Sequence, residues 1–515
     1  MIWTIAKKEF FEKILDSRVT ISFLIAMALS IVMAIVVGED YQGRKKAYDE
    51  AVAQAQAELE NVKVFSEYQP DVVFPPSSLS IFSKGIELAS PMTLNIRPDW
   101  VPRYEPAEAG SNPLMRIFEA LDIATVLRIL FALLVILLTY DAFSGEKETG
   151  ALRLTMSNPV SRVNLLYGKL IGALMVVTIG VFLTFAIALI LAQALYGIAM
   201  NSEDYVRVIL ILATTLLYLA IFAALGTLAS IKFSSSTSLT VLLFVWFVVG
   251  ILHPDLNTFA VSELGSTPRF ADLEPALDEA SYSYAADLEK LQAQYGAVLN
   301  DKSKQKFFES ATNVGNVPVY VIVADADYKI LEYLIKQTQL YRKTFDTAEK
   351  EWQLYKRLYL DKLDEQLRWK RLLELSSPAA LFKHAVSVLS RTDIDNAEAF
   401  LEQTRQYRQQ YLAYLDQKGV FSSNAHLYFS RLRREQIDPV DTAQRLAQYA
   451  KDPNSIPWTR NQPPLDLADA PVFKVQAAAL VEDLAKAIRN LLPMMIYFVV
   501  FLIWAAAALK SYDVR

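Results

Sequence analysis

Glu146, Lys147 and Glu148 are three consecutive charges set between two long apolar runs, and Asn158-Pro159 imposes a turn before Ser161-Arg162. Charges at this density, bounded by turn residues, suit a short polar helix that docks into a groove of a soluble partner. They do not suit nucleotide chemistry. Gly145 and Gly150 have the glycine spacing of a phosphate-binding loop, but Ala151-Leu152 stand where the Lys and the hydroxyl would hold phosphate and magnesium. Asp325-Ala326-Asp327 has the outline of a two-aspartate metal motif. It also precedes a long helical pattern, where Asp327 serves as a cap for free N–H groups. His253, His384 and His426 are far apart without ligand spacing, there is no cysteine, and no Gly-x-Ser-x-Gly elbow occurs. The chain is therefore expected to be no enzyme and to hold no cofactor or metal of its own.

The elements that position these charges are membrane spans. Of the 515 residues 53% are hydrophobic and 21% are charged, with a net charge of −5, which excludes a nucleic-acid partner and favours the lipid bilayer. Six runs are long and apolar enough to cross: 19–37, 123–140, 170–195, 208–229, 235–252 and 491–509. Lys7, Lys8, Lys13 and Arg18 precede the first. Lys147, Arg153, Arg162 and Lys169 lie between the second and third, and Lys510 and Arg515 close the chain, whereas the short loop Tyr196–Asp204 has neither Lys nor Arg. That asymmetry predicts an inner-membrane protein with both termini in the cytoplasm. Residues 1–18, the loop 141–169 and the tail 510–515 are then inside, and inserts 38–120 and 253–488 are outside.

The expected fold class is an all-α polytopic membrane protein with two extracytoplasmic domains, the second mainly a helical hairpin with minor β. Residues 45–62 read as a helix continuing the first span, followed by a proline-punctuated stretch. Tyr328–Leu373 lacks Gly and Pro and repeats apolar residues at helical spacing, enough for roughly 70 Å of helix. Asn396–Gln417 is a second helix ending before Gly419. The pair suits either a self-packed hairpin or a stalk that meets an extracytoplasmic protein partner. Val317–Val323 reads as a strand. Ser376-Ser377-Pro378 starts a helix, either on the membrane surface or as a buried connector, and a helix from about Val475 leads into the last span.

Two further features bear on function. On a helical wheel of residues 2–16, Trp3, Ala6, Phe10 and Ile14 form one stripe, opposed by Lys8, Glu9, Glu12 and Asp16, as in an interfacial helix. Arg128 is an intramembrane cation, costly to bury alone by about 2.5–3.5 kcal/mol. It either faces a substrate path or lipid headgroup, or snorkels and pairs with Asp122 or Glu119.

The loop resembles the signature of ABC-2 type transporter permeases, in which an acidic Glu-x-Glu-x-Gly-Thr-Leu-like segment precedes a Pro-Val-Ser-Arg turn and a Gly-Lys pair entering the third span. Glu146, Glu148, Gly150, Leu152, Pro159, Ser161, Arg162, Gly168 and Lys169 match, with Thr149-Gly150 in place of the usual Gly-Thr. Lys8-Glu9-Phe10 and Tyr512–Arg515 are similar to that family as well, and the large inserts after the first and fifth spans resemble one of its subgroups. The resemblance implies a permease subunit working as a homodimer or heterodimer with separate ABC ATPase subunits, which bind ATP and Mg and drive export. It implies that Glu146, Lys147, Glu148, Gly150, Pro159 and Arg162 form the coupling segment. Trp3, Lys8, Glu9 and Phe10 of the elbow helix would meet the ATPase too. The alternative is mechanotransmission, the same stroke acting on an outer partner with nothing transported.

Overall fold

The computed structural model describes residues 1–62, 65, 67–85, 93–102, 122–157, 160–254, 256, 284–297, 308–314, 317–322, 328–421 and 464–512. Among them six helices are long and apolar enough to span a membrane: Ser17–Glu60, Ile123–Thr149, Arg162–Leu195, Ser202–Lys232, Ser235–Leu252 and Leu480–Lys510, the first to sixth spans. Exposed apolar side chains such as Phe244, Phe247, Ile496 and Ile503 mark their lipid side. The fourth span is the bundle's axis, with Tyr218, Leu219, Ile221, Phe222, Ala223 and Ala224 buried. Both chain ends lie at one end of this bundle, the terminus end. The inserts cover the other, the far end.

The first four spans each begin on a side chain that satisfies free N–H groups. Asp16, in extended conformation, closes the N-terminal helix Ile2–Leu15 and accepts from Arg18 N at the start of the first span, which makes the elbow. Asp122 accepts from Thr125 N at 2.7 Å, Ser161 from Asn164 N at 3.1 Å, and Asn201 and Asp204 form a reciprocal capping box. The first span continues unbroken to Glu60, 44 residues or about 66 Å, because nothing after the apolar run stops the helix. The third begins at Arg162, ahead of its apolar run, so Gly168 and Lys169 are helical.

Read separately in the sequence, the two inserts share one core at the far end. Tyr68, Val72, Leu94 and Ile96 of the first pack with Tyr341, Phe345, Phe400, Tyr407, Tyr411 and Leu415 of the second. The Tyr411 hydroxyl donates to the Tyr68 carbonyl at 2.6 Å, and Arg408 donates to the carbonyls of Arg97 and Pro98. Helix Tyr328–Tyr355 runs through a π-helical turn, Lys356–Leu360, into Asp361–Glu374, and Ile394–Gln417 ends before Gly419 at φ 68°. The strand is Val317–Ile322, paired antiparallel with Phe308–Val314, and a second small ladder joins Asp71–Val73 to Thr93–Asn95. Asp325, Asp327, Glu119, Pro159 and His426 lie outside the described residues.

One open alternative is decided and one helix start moves. The helix Pro378–Leu389 is a buried connector, not a surface helix: Ala379, Leu381, Phe382 and Ala385 are buried, and Phe382 stacks on Tyr218 with centroids 4.7 Å apart. Its cap, Ser377, also donates to the Val249 carbonyl of the fifth span at 3.0 Å. The last helix starts at Leu480 rather than near Val475. Gln403 holds the preceding strap extended by bonding both backbone groups of Gln476 at 2.8 Å, which competes with helical bonding there.

Candidate functional site

The charged segment of the loop lies at the terminus end, on a short helix, Ser144–Thr149, that Gly150 terminates with φ 77°. A left-handed residue at that position favours glycine. Ala151–Ser157 follows as a second short helix. The turn into the first is pinned by Ser230 Oγ of the fourth span, which accepts from Phe143 N at 2.8 Å and Ser144 N at 3.0 Å.

Successive helical residues point about 100° apart, so Glu146, Lys147 and Glu148 reach three different spans. Glu146 Oε1 accepts from Lys169 Nζ of the third span at 2.9 Å. Lys147 donates to the last carbonyls of the fourth span, at Ser230 (3.3 Å) and Ile231, and lies over the Tyr512 ring. Glu148 Oε1 accepts from Ser235 N at 2.8 Å, capping the fifth span. Arg162 Nη1 gathers the carbonyls of Leu509, Lys510 and Tyr512, closing the C-terminal end of the sixth. The loop helix is thereby tied to three spans, and the third span, through Arg162, to the sixth.

The N-terminal helix joins the same network. Gly168 and Gly172 present a bare surface on the third span. A Cβ at Gly168 would stand 2.6 Å from Ile5 Cβ, and one at Gly172 would stand 2.6 Å from Glu9 Cβ and 2.8 Å from the Ala6 carbonyl. This approach brings Glu9 Oε1 within 2.5 Å of Lys169 Nζ. Lys169 and Glu9 are each 5% exposed and the Glu146 side chain 23%, so the Glu9–Lys169 pair is buried and Glu146 closes it from a partly exposed position. Lys13 adds a bond to Asp141 at 2.8 Å.

The wheel is therefore corrected. Glu9, read on the polar face, points inward with Ala6, because Lys169 supplies a counter-charge that periodicity cannot see. Trp3, Phe11 and Leu15 point out of the protein, Phe10 is half-buried with an edge contact to Phe11, and Lys8 stays exposed beside Glu12. Glu146 and Glu148, which the polar loop suggested as free acceptors for a partner, are engaged within the chain. The loop instead presents Arg153 and Leu154, the latter 72% exposed, while Leu152 is buried against Phe143, Leu165, Leu166 and Leu509. Ser230, Ser235 and Leu154 were not singled out from the sequence. Only their neighbourhood to a span end signals them.

Arg128 sits apart from this cluster, nearer the far end. It does not pair with Asp122, and Glu119 lies outside the described residues. Arg128 is buried, and its Nη1 donates to the Gly250 carbonyl at 2.8 Å, while Asp122 caps its own helix. Gly250 belongs to a π-helical turn, Trp246–Leu252, and Arg128 to another, Leu127–Phe131. Such turns misalign carbonyls from their helical donors. Here Arg128, Trp246 Nε1 (to Ile129 O, 3.0 Å) and the Tyr218 hydroxyl (to Arg128 O, 2.9 Å) satisfy them across the spans.

The family model described as ABC-2 family transporter protein matches residues 3–514, both ends of the chain and everything between. The chain belongs to that family. A probable ABC transporter permease protein, NosY of Stutzerimonas stutzeri, is similar to it, 28% identical over 157 residues. The match takes in 30% of this chain and 56% of that relative, so the chain spans a little over half the length of the curated relative it matches. As an ABC-2 family transporter protein, the chain is the membrane subunit type of a transporter and multi-pass. Its N-terminal helix, loop helices and C-terminal residues form one interlocked face.

Proposed function

We propose that this chain is the permease of an ABC transporter whose ATPase is a separate subunit docking on the terminus end. The supporting observation is the fan of Glu146, Lys147 and Glu148 to three spans, with Arg162 reaching a fourth. A push on the loop helix is delivered to the bundle rather than absorbed in a loop. Arg153 and Leu154, with the outward Trp3 and Phe11 of the elbow, are the docking surface. ATP and Mg bind the partner, and its closure rearranges a homodimer or heterodimer of permeases to export substrate. The terminus end is cytoplasmic and the inserts are outside, in an inner membrane.

Orientation and energy supply are tested together. The chain has no native cysteine. Single cysteines at exposed Gln54 and Gln410 should label with an impermeant maleimide in intact cells, and one at Ser157 should not. The reverse pattern inverts the assignment. The purified chain should hydrolyse no ATP until a cognate ATPase is added, and transport into inverted vesicles should then follow hydrolysis. Hydrolysis by the assembled complex without any flux would replace export by mechanotransmission.

A further inference from the structure

Helix Asp361–Glu374 changes character along its length. Residues 361, 365, 368, 372 and 375 fall on one face, since steps of three and four residues return to the same side of a helix. From the distal end toward the bundle that face carries Asp361 and Glu365, then Arg368 beside Trp369, then Leu372 and Leu375, all exposed. Trp369, Leu372 and Leu375 are 53%, 57% and 42% exposed. A helix lying in a protein groove or flat on a bilayer carries an apolar stripe over its whole length. Here the apolar part is confined to one end, as in a helix whose end alone enters an apolar medium. Carboxylates outermost, a cation and an indole next, and leucines innermost follow the order of water, interface and hydrocarbon at a bilayer.

Hydrogen bonds fix the depth of that end. The Tyr497 hydroxyl of the sixth span donates to the Leu375 carbonyl at 2.9 Å. Ser376 Oγ and His253 Nε2, at the end of the fifth span, are 2.7 Å apart, and Ser377 donates to the Val249 carbonyl at 3.0 Å. Val249 and Tyr497 both lie inside membrane-spanning helices. The Leu375 end is therefore level with the outermost turns of both spans, where Leu492, Met495 and Ile496 of the sixth are exposed on its lipid side. The charge at this rim is positive. Arg371 and Lys486 share Asp395, each at 3.3 Å, and Lys370 stands 4.0 Å from Glu374. Arg368, and Arg489 just ahead of the sixth apolar run, are exposed and form no ion pair with any described residue.

We propose that the last two turns of Asp361–Glu374, with Leu375, are a foot seated in the far-end leaflet of the membrane. Leu372 and Leu375 lie among acyl chains and Trp369 at the interface, while Arg368 and Arg489 draw the headgroup of an anionic phospholipid. The second insert is thereby held to the bilayer as well as to the bundle. The assignment holds whichever side of the membrane the far end faces.

A bimane on a single introduced cysteine tests this, because the chain has no cysteine of its own. In nanodiscs of phosphatidylcholine and phosphatidylglycerol, the label on Leu372→Cys should be quenched by lipids brominated on the acyl chain and screened from aqueous acrylamide. The label on Asp361→Cys, about 16 Å up the same face, should show the reverse. Brominated phosphatidylglycerol should quench at 372 more than the same fraction of brominated phosphatidylcholine, with a local enrichment of about fivefold, the effect of one arginine near an anionic surface. Combining Arg368→Gln with Arg489→Gln should bring the two lipids level and leave the acrylamide screening unchanged. Acrylamide reaching 372 as freely as 361 overturns the seating. Quenching at 372 by neither agent shows a protein cover, such as a second copy of this chain, and overturns the lipid assignment. Equal quenching by the two brominated lipids in the parent, or a preference that survives the double substitution, overturns the headgroup role of the two arginines.

Discussion

The two ends of this bundle are held by different physics. At the terminus end, short-range charge pairing and glycine contacts join small elements: Gly168 and Gly172 admit the N-terminal helix, and Glu9, Lys169 and Glu146 lock it. At the far end, aromatic packing does the joining. Tyr68 meets Tyr411 and Tyr414, and Phe400 meets Phe74 and Phe473. Dispersion over a large aromatic area tolerates small displacements, whereas a charge triad around a buried lysine depends on each partner staying in place. The buried helix Pro378–Leu389, seated on Tyr218 and Val249, links the two.

The contrast is most sharply broken at Lys169. Lys169→Met leaves the buried Glu9 and the partly buried Glu146 without a counter-charge, and should cost about 3 kcal/mol. In nanodiscs this is read as lost thermal stability with proteolytic release of the N-terminal helix. The combined Glu9→Leu, Lys169→Met and Glu146→Leu variant should recover most of that stability, since an apolar trio of similar volume removes the desolvation cost. If Lys169→Met is as stable as the parent, the triad is not the lock.

Phe400→Ala is the matching lesion at the far end. Phe400 is 1% exposed, and its loss should cost about 3 kcal/mol, the low side for a buried phenylalanine, because Phe74 and Phe473 can close on the gap. Hydrogen exchange should rise in the inserts and leave residues 2–15 and 144–157 unchanged. Exchange rising equally at both ends would show one cooperative unit instead of two.

Much of the bundle was legible in the sequence, because lipid demands uninterrupted apolar runs and each of the six carries its own signal. The loop was located by its charges and turns. What its charges bond to was not legible. Glu146 lies 23 residues from Lys169, and Glu9 lies 160 from it, separations that no local period encodes. The wheel placed Glu9 outside because it knows one polar environment, water, and not a buried ammonium. The shared far-end core was hidden for a similar reason: Tyr68 and Val72 sit in a proline-rich stretch without periodicity. The π-helical turns carry no composition signal either, and so the Gly250 carbonyl was not foreseen as a partner of Arg128.

A smaller effect comes from pH at the far end of the buried connector. Burial, with Asp395 nearby, pushes the Asp393 carboxyl up to about 6, and burial beside Lys370 and Arg371 holds His384 down to about 4. The signs oppose each other. Asp393 contributes stability that is full below its ordinary value near 4 and is lost as pH rises through about 6. His384 contributes stability that is full above about 6.5 and is lost as pH falls through about 4. Asp393→Asn removes the first arm and no cap bond, since the Asp393 side chain makes none to its helix. It should gain about 1–2 kcal/mol at pH 8 and nothing below pH 4. Equal gains at both values would refer the effect to packing.

The smallest stability change carries the largest functional consequence. Leu154→Asp alters an exposed side chain, so its stability in nanodiscs should stay within about 0.5 kcal/mol of the parent's. It nevertheless places a charge in the centre of the proposed docking face. Co-purification of the cognate ATPase with Leu154→Asp, measured beside Glu148→Gln, tests the account at its centre. The account predicts that Leu154→Asp loses the ATPase while Glu148→Gln, whose carboxylate caps the fifth span within the chain, retains it. Full recovery with Leu154→Asp, together with loss on a folded Glu148→Gln, would contradict it and return the docking role to the acidic pair.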